Sequence, residues 1–527
     1  MAQESRLLSE PERNLRAALK AKCLTLASLE RIRIRQRARV RNLKERDAGT
    51  AYFHMKMKAR RRKQLIHVLE HEGRIASTQN DMQDLAKEYF QMIMSEPNSD
   101  SRQFNFQHLK LNTADLSMLD DQFSENEVWE AIKSLPNEKL PGPDCYTALF
   151  YQKCWDIIKG DIMKAFEKFC RGNSQNLEML NTAVITLIPK KDSPTLLKDY
   201  RPISLIHSFA KLAAKVMAQR LAPRMNELVP YTQNAFFRGR SIHENFIFVK
   251  GLVQQYHKQH KEMILLKLDI SKAFDTVSWC FLLDMLKWRG FGAKWRLWLV
   301  SLFLTAETNI LINGNESNPF KPARGLRQGD PLSPLLFVLA MDALQAVVAQ
   351  AKASGLLSEP APRRPVPSIS IYADDAVLFF KPSQQEAKVV KAILQIFGAA
   401  SGLMTNYNKT AITPIQCSQE QLQVVADELQ CNIQLFPIIY LGLPLSTRKP
   451  TKAEVQPILD KLANKVAGWK PKLLSPDGRL CLIKSVLMAL PVHFMSVLQL
   501  PKWAIKDIER KCRGFLWKGQ QEVSGEH

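Results

Sequence analysis

Two adjacent aspartates inside an apolar run constrain this chain more than any other sequence feature. Asp374 and Asp375 interrupt SISIYADDAVLFF (368–380), where most other side chains favour β-strands. A buried carboxylate is costly unless it is paired, hydrogen-bonded or bound to a cation, and two neighbouring carboxylates also repel each other. The run therefore predicts a compensating positive charge close to the pair.

The halves of this run, SISIY and AVLFF, are separated by only two or three residues. That spacing predicts a tight β-hairpin with the aspartates at or near its turn. Only a bend lets side chains that alternate along a strand approach one ion. Because two aspartates are also an ordinary turn pair, the pair alone does not establish a metal site.

A third carboxylate stands near the end of another predicted strand, MILLKLDI (263–270), as Asp269. Together with Asp374 and a contribution from Asp375 it would form an oxygen-rich site suited to two Mg²⁺ ions. Such a pair activates an attacking hydroxyl and stabilises the leaving oxygen in a phosphoryl displacement. The alternative for Asp269 is a helix N-cap, since SKAF follows it.

Length and composition predict a large intracellular protein. The 527 residues are 46% hydrophobic, enough for two to four domains. Asp342 interrupts the most apolar stretch and the N-terminus has no leader-like apolar region, so we expect a soluble chain with no membrane partner. The nine cysteines include no CxxC pair and are expected to be reduced, mostly buried thiols.

The net charge of +23 is concentrated near the N-terminus. Eighteen Lys and Arg residues between Arg13 and Lys63 face three acids, and RIRIRQRARVR (31–41) alternates arginine with other residues. We predict either a helix that is basic nearly all round or a solvated basic arm. Both would bind phosphates without reading sequence. The densest part of the predicted contact is Arg60, Arg61, Arg62 and Lys63, which also suits nuclear import.

Helices and strands are mixed without regular βα alternation, which predicts an α+β fold. Predicted strands cover 182–189 and 263–270, and LIHVLEHEGRIAST (65–78) reads as two short strands about a Gly turn. One predicted helix begins at Ser124, which forms a capping box with Glu127. A second covers 208–228 with a break at Pro223, and a third covers 333–352. From about residue 451 the pattern is helical, with Trp469, Trp503 and Trp517 as predicted core anchors.

Seven motifs in order then resemble those of LINE-type, non-LTR retrotransposon reverse transcriptases, especially plant elements. They are DYRPISL (199–205), NAFFRGRSI (234–242), KLDISKAFDTV (267–277), RGLRQGDPLSPLLF (324–337), YADD (372–375), GLMTNYNKT (402–410) and YLGLPLS (440–446). The resemblance spans roughly residues 30 to 519. It implies a right-hand polymerase fold with fingers, a palm built on an antiparallel sheet and a helical thumb, preceded by a basic, largely helical region.

The resemblance also implies roles for single residues. Asp269, Asp374 and Asp375 match the catalytic metal-binding triad, and Lys409 matches a candidate general acid for pyrophosphate release. The nucleotide-binding positions implied are Lys190, Arg201, Phe274 as a steric gate against the 2′-OH, Gln328 and Gly329. The template contacts implied are Arg238 and Arg240. The alternatives are a solvated charge for Lys190, Arg201 and Lys409, a core aromatic ring for Phe274, and a Gly-Pro turn for the loop of Gln328 and Gly329.

The activity implied is that of an RNA-directed DNA polymerase using two Mg²⁺ ions, with Mn²⁺ as a substitute, on an RNA template, a DNA primer or target, and dNTPs. The implied boundaries are a basic region and linker at 1–103, fingers and palm at 104–450, and a thumb at 451–527. Related elements carry an endonuclease ahead of this region, so that activity would come from elsewhere. Priming on chromosomal DNA implies a nuclear location.

One departure and two rival functions remain open. Cys145 stands in LPGPDCYT where the family usually has glycine, a source of strain if that position needs a positive φ. The first rival is an inactive retroelement-derived fragment that holds RNA or DNA through its basic regions. The second is another palm-type nucleotidyltransferase, which a residue such as Phe274 argues against because ribonucleotide enzymes leave space for the 2′-OH.

Overall fold

The computed structural model describes residues 9–37, 64–95, 104–137, 139–172, 176–358, 367–467, 469 and 474–517. These residues fall into two compact units. The larger unit is made of Val68–Ile458 and Val492–Ala504, and the smaller one of the described parts of Met1–His67, Leu459–Pro491 and Ile505–His527. The predicted basic contacts Arg60, Arg61, Arg62 and Lys63 lie outside the described residues, and so do residues 96–103 at the end of the predicted basic region and linker.

The first half of the chain is mostly helical. Its elements are α1 (Glu10–Arg37), β1 (Leu69–His71), β2 (Arg74–Ala76), α2 (Gln79–Ser95), α3 (Glu125–Ser134), α4 (Ala148–Lys153), α5 (Trp155–Cys170), α6 (Leu177–Leu180), β3 (Thr182–Pro189), β4 (Tyr200–Ile206), α7 (Ser208–Leu221), α8 (Met225–Leu228), α9 (Ile242–Lys258) and β5 (Met263–Leu268).

The second half alternates strands and helices before ending in helices. Its elements are α10 (Ala273–Thr276), α11 (Trp279–Trp288), α12 (Ala293–Leu304), β6 (Glu307–Ile312), β7 (Asn315–Glu316), α13 (Ser333–Ala353), β8 (Ile369–Tyr372), β9 (Asp375–Phe380), α14 (Gln384–Ser401), β10 (Ala411–Ile415), α15 (Gln419–Leu429), β11 (Asn432–Ile433), β12 (Ile438–Tyr440), β13 (Leu443–Leu445), α16 (Lys452–Ala467), α17 (Pro476–Leu482), α18 (Val492–Met495) and α19 (Lys502–Trp517).

The largest sheet has five strands in the order β11-β10-β5-β9-β8. Its pairs are antiparallel except for β10 with β11. In the central strand β5 every residue but Lys267 is buried, which explains why it reads as a continuous apolar run. The sheet lies in the main hydrophobic core, together with α13 and α14.

A second sheet has four strands in the order β4-β3-β6-β7, with β3 antiparallel to β4 and parallel to β6. Helix α2 packs beside β6, where Gln79 Nε2 donates to the carbonyl of Ile312 at 2.9 Å. Mixed sheets and helices of this kind confirm the predicted α+β class at the level of secondary-structure content.

Most of the predicted local structure is present. Ser124 and Glu127 form the predicted capping box at the start of α3. The predicted helix at 208–228 is interrupted at Pro223, where the 3₁₀ turn Ala222–Arg224 separates α7 from α8. The strands β1 and β2 flank Glu72 and Gly73, both with positive φ, as a two-residue turn requires.

Helix α13 is long and apolar enough to cross a membrane by length and composition alone, but most of it is buried within the fold. Asp342, which interrupts the apolar run, forms a buried ion pair with Arg289 at the end of α11. The Arg289 side chain is fully buried and also donates to the carbonyl of Leu228 at 2.8 Å. This pair therefore explains how an aspartate is tolerated in the core.

Two predictions about apolar anchors are wrong. Trp503 and Trp517 are 39% and 75% exposed, because the buried stripe of α19 is formed instead by Ala504, Ile508 and Phe515. These three recur at helical spacing, and both tryptophans lie off that face. Trp469 does contact the stripe, with its ring centroid 5.0 Å from that of Phe515.

The cysteines are free, as predicted, but the prediction that most are buried is wrong. Cys23, Cys145 and Cys280 are exposed, and the other six are only half-buried. Cys23, for example, lies on α1, where the described side chains are almost all exposed, so its position on that helix offers no core to enter.

Cys145 occupies the left-handed region, with φ of 60°. A residue with a Cβ is disfavoured there by roughly 1–2 kcal/mol, whereas glycine adopts it freely but loses more entropy on folding. We expect Cys145→Gly to increase the free energy of unfolding by about 0.5–1 kcal/mol, measured by urea denaturation. Cys145→Ala keeps the Cβ and is the control: an equal gain in that variant would show that the thiol, not the backbone, is responsible.

Candidate active site

The two strands that carry the predicted aspartates are neighbours in the five-stranded sheet. Leu268 of β5 pairs with Ala376 of β9, so continuing the antiparallel register sets Asp269 opposite Asp375. Strands β8 and β9 form the predicted hairpin, in which Tyr372 pairs with Asp375 and Ala373 and Asp374 make the turn. Ala373 has φ of 55°. The sheet register thus places the backbones of three aspartates, from positions about a hundred residues apart, at neighbouring strand ends.

The aspartates are not buried, so the prediction of two buried carboxylates is wrong. Asp374 and Asp375 are exposed and Asp269 is half-buried, whereas the flanking Ala373 and Ala376 are buried. Partial burial raises the pKa of the Asp375 carboxyl, and repulsion from Asp374 and then from Asp269 raises it further. A bound cation would stabilise the partly desolvated carboxylate and relieve its repulsion from Asp374 and Asp269.

The backbone of Asp269 is fixed by the segment 404–410. Its N–H donates to Thr410 Oγ1 at 3.2 Å, and its carbonyl accepts from the N–H of Asn406 at 2.8 Å. The following helix α10 is capped at Lys272, not at Asp269. The N-cap alternative for Asp269 is therefore excluded, and its carboxylate is left for another task.

Two buried polar residues hold the hairpin from behind and were missed by sequence reasoning. Gln233 Oε1 accepts from the N–H of Ala373 at 3.2 Å. Asn245 Nδ2 donates to Ser370 Oγ and to the carbonyls of Thr232 and Ile371, each at 2.9 Å. Gln233 lies directly before the motif NAFFRGRSI (234–242) and Asn245 lies three residues after it. This proximity was the only sequence feature that pointed to either residue. They explain how the turn is fixed next to Asp269.

A second hairpin, β12 with β13, is tied to the strand that leads to Asp269. Lys267 Nζ donates to the carbonyl of Ile439 at 2.9 Å. Because side chains alternate along a strand, Lys267 and Asp269 project from the same face of β5. The hairpin, which carries YLGLPLS, is therefore located beside the carboxylates.

Three of the predicted cations lie near one another. Partial burial lowers the pKa of the Lys190 ammonium, and the positive charges of Lys409 and Arg201 lower it further. Lys190 Nζ donates to the carbonyl of Lys198 at 2.8 Å, and Ile188 pairs with Arg201 across β3 and β4. The structure thus brings Lys190, Arg201 and Lys409 into one electrostatic neighbourhood, where an anion would be attracted.

The loop that contains Gln328 and Gly329 packs directly on β4. Ser204 N–H donates to the carbonyl of Gln328 at 2.8 Å. Gly329 has φ of 118°, and a Cβ there would lie 2.8 Å from the carbonyl oxygen of Ser204. Only glycine fits this contact. The Gln328 side chain reaches the buried Asp275, whose Oδ1 accepts from Nε2 at 3.1 Å.

Phe274, the predicted steric gate, is half-buried on α10. Its ring stacks on that of Phe337, with centroids 4.3 Å apart and planes 17° apart. The carbonyl of Phe274 accepts from the N–H of Leu326 at 2.7 Å. The stack on Phe337 therefore holds the ring, and the bond from Leu326 ties the Phe274 backbone to the loop that carries Gln328.

Of the two predicted template contacts, one side chain is engaged inside the protein. The Arg240 guanidinium donates to the carbonyls of Val229, Pro230 and Gln233 at 2.7–3.0 Å and lies over the Phe237 ring. This corrects the expectation that Arg240 faces a template, because its fork of donors already satisfies backbone carbonyls. Arg238 is exposed.

Among the described residues, no group of three or more His, Cys, Asp or Glu side chains is gathered closely enough to hold a metal ion. The donor chemistry of the aspartates still fits a hard divalent cation, since all three offer carboxylate oxygens. Their mutual repulsion at Asp375 points the same way. The backbone therefore supplies the positions for a cation site, while the side-chain oxygens do not converge on one point.

Comparison with known proteins agrees with this arrangement. Residues 188–445 match the family model described as "Reverse transcriptase (RNA-dependent DNA polymerase)", a family that generally depends on divalent metals. That range contains every predicted residue of the site from Lys190 to Lys409.

Three curated relatives are retrotransposon proteins. An uncharacterized 149 kDa protein of transposon TX1 from Xenopus laevis is 26% identical over 93% of this chain and 37% of its own length. The R2DM polyprotein of Drosophila melanogaster is 27% identical over 49% of this chain and 24% of its own length. An R2 polyprotein of Nasonia vitripennis is 29% identical over 38% of this chain and 19% of its own length. The chain thus spans well under two thirds of the length of these relatives.

A solved structure of telomerase from Candida albicans, in complex with a fragment of telomeric RNA, aligns with 68% of this chain and with 61% of the telomerase chain. The TM-score is 0.36 and the sequence identity is 14%. The family match and the retrotransposon relatives, taken with the register that places Asp269 opposite Asp375, identify residues 188–445 as a reverse transcriptase domain of the non-LTR retrotransposon family.

Proposed function

We propose that this chain is an RNA-directed DNA polymerase. The observation that carries the proposal is the register of β5 and β9, which sets Asp269 opposite Asp375 and next to Asp374. Three carboxylates at adjacent strand ends suit a reaction in which charge must be neutralised at phosphate. Lys190, Arg201 and Lys409 lie near one another and form a cationic group that would attract a triphosphate.

In this proposal the five-stranded sheet is the palm, the β3–β4 hairpin belongs to the fingers, and the helices after residue 451 form the thumb. The corresponding boundaries are a basic N-terminal region and linker at 1–103, fingers and palm at 104–450, and the thumb-like region at 451–527. The hairpin of β12 and β13, held by Lys267, acts as a primer grip through its backbone.

The reaction proposed is attack of a primer 3′-OH on the α-phosphate of a dNTP, with release of pyrophosphate. Asp269, Asp374 and Asp375 would hold two Mg²⁺ ions, or Mn²⁺ in their place, and such ions lower the pKa of the attacking hydroxyl and stabilise the leaving oxygen. Lys190 and Arg201 hold the triphosphate, Gln328 and Gly329 border the nucleotide, and Lys409 protonates the departing pyrophosphate.

The proposed partners are an RNA template, a DNA primer or target, and dNTPs. The net charge of +23 supports a polyanionic partner. Related elements integrate by priming on chromosomal DNA, so we propose a nuclear location. The second candidate is an inactive RNA- or DNA-binding fragment. The basic N-terminal region favours it, whereas the presence of all three aspartates argues against it.

The test is extension of oligo(dT) on poly(rA) with Mg²⁺, comparing dTTP with UTP. Wild type is expected to use dTTP, and Asp374→Ala is expected to lose extension. Phe274→Ala is expected to gain at least about tenfold in the UTP to dTTP incorporation ratio, a change worth roughly 1.4 kcal/mol, because the ring crowding the 2′-OH is removed. An unchanged ratio would show that Phe274 is a core aromatic. Extension that survives in Asp374→Ala would refute the site.

A further inference from the structure

Asp275 is a buried acid to which the proposed reaction gives no task. It lies on α10 beside Phe274 and is 6% exposed. In the described part of the chain its carboxylate accepts one side-chain hydrogen bond, from Gln328 Nε2 at 3.1 Å, and forms no ion pair within 4.0 Å. A buried carboxylate without an ion pair destabilises a fold, so its presence beside a nucleotide-binding loop calls for a function.

The loop that carries Gln328 is fastened to α10 around this contact. The N–H groups of Gly325 and Leu326 donate to the carbonyls of Val277 and Phe274 at 2.8 and 2.7 Å. A Cβ at Gly325 would lie 2.4 Å from the carbonyl oxygen of Asp275. With the loop backbone fixed this closely, the remaining freedom of Gln328 is in its side chain, and its amide is held by Asp275.

We propose that Asp275 is a positioning residue that orients the Gln328 amide toward the incoming nucleotide. This inference rests on the proposed polymerase function. As a carboxylate, Asp275 can only accept, so it holds the amide nitrogen and leaves the amide oxygen for the nucleotide side. As a carboxylic acid it can donate to the amide oxygen, and the opposite orientation becomes available.

The surroundings of Asp275 allow both forms near neutral pH. Burial raises the pKa of its carboxyl to about 7, although the hydrogen bond from Gln328 and the charges of Lys272 and Lys190 lower it. From α2, Tyr89 also faces it, and the pKa of Tyr89 is raised by burial and then by Asp275. Asp275 and Gln328 line a cavity of about 50 Å³, which has room for the water that proton exchange needs.

The test measures dTTP binding to the complex of protein with an RNA template and a DNA primer ended by a dideoxynucleotide, so that no chemistry is required. In wild type the Kd is expected to fall as pH rises from 6 to 8, because the carboxylate form fixes the amide. Asp275→Ala should weaken binding at pH 8 by roughly five- to tenfold, the effect of one hydrogen bond. Asp275→Asn, like the protonated acid, offers both an acceptor and a donor but does not titrate, so its Kd should stay near the wild-type pH 6 value throughout.

Glu386→Gln is the matched control, since Glu386 is another acid with 6% exposure and lies on α14, accepting from the N–H groups of Ser358 and Lys381. It is expected to keep the wild-type pH profile even if the melting temperature falls. An unchanged Kd in Asp275→Ala, or a wild-type pH profile in Asp275→Asn, would overturn the inference alone. Folded wild type that binds no dTTP would overturn the proposed function together with it.

Discussion

Replacing Asp269 with asparagine is expected to lower the rate of dTTP addition on poly(rA)/oligo(dT) by at least about a thousandfold. The register of β5 and β9, continued by one residue, sets Asp269 opposite Asp375. The backbone of Asp269 is fixed by Asn406 and Thr410, so the substitution removes one negative charge without moving the strand. A cation held there supplies several kcal/mol of charge stabilisation to phosphoryl transfer, and each 1.36 kcal/mol changes the rate about tenfold.

The control for this loss is Asp284→Asn, an exposed aspartate on α11 in the same unit. It should retain full activity, and the melting temperatures of both variants should stay close to wild type. Extension by Asp269→Asn within tenfold of the wild-type rate would remove Asp269 from the site.

The largest stability effect is expected from Asp342→Ala, which should lower the free energy of unfolding by about 3–5 kcal/mol. The change leaves the guanidinium of Arg289 uncompensated in the core, where its side chain is fully buried. Urea denaturation would measure it as a lower midpoint at unchanged slope. The double variant Arg289→Met/Asp342→Leu removes both charges and should lose less stability than Asp342→Ala.

Glu167→Ala is the comparison, because its ion pair with Arg171 has both side chains more than half exposed. It should cost less than about 1 kcal/mol. If Asp342→Ala cost no more than Glu167→Ala, the buried pair would not stabilise the core.

The local parts of the site could be predicted from sequence because each has a short-range signature. The YADD hairpin follows from two strand-forming runs with a two-residue gap, and the strand before Asp269 follows from its unbroken apolar character. The electrostatic reason first assigned to the pair was wrong, however. Apolar neighbours suggested buried carboxylates, whereas the turn itself is exposed, because burial of a strand does not extend to the tip of its hairpin.

Residues that act through long-range contacts could not be predicted. Gln233 and Asn245 hold the hairpin from more than a hundred residues away, and an isolated glutamine or asparagine carries no periodic signal. Asp275 is likewise distinguished only by its burial and by its bond to Gln328, which lies 53 residues away. The prediction that Trp503 and Trp517 anchor the core was wrong because it rested on the size of the rings. The helical repeat of α19 places both tryptophans off the buried stripe.

The central claim is that Asp269 and the Asp374–Asp375 turn share one cation site, and localised cleavage by bound Fe²⁺ tests it without requiring activity. With ascorbate and peroxide, hydroxyl radicals formed at the site should cut the wild-type chain near residue 269 and near residues 374–375 in the same sample. Mg²⁺ should suppress both cuts at one concentration, and Asp374→Ala should lose both. Cuts at only one of the two segments, or suppression of each at a different Mg²⁺ concentration, would contradict the account.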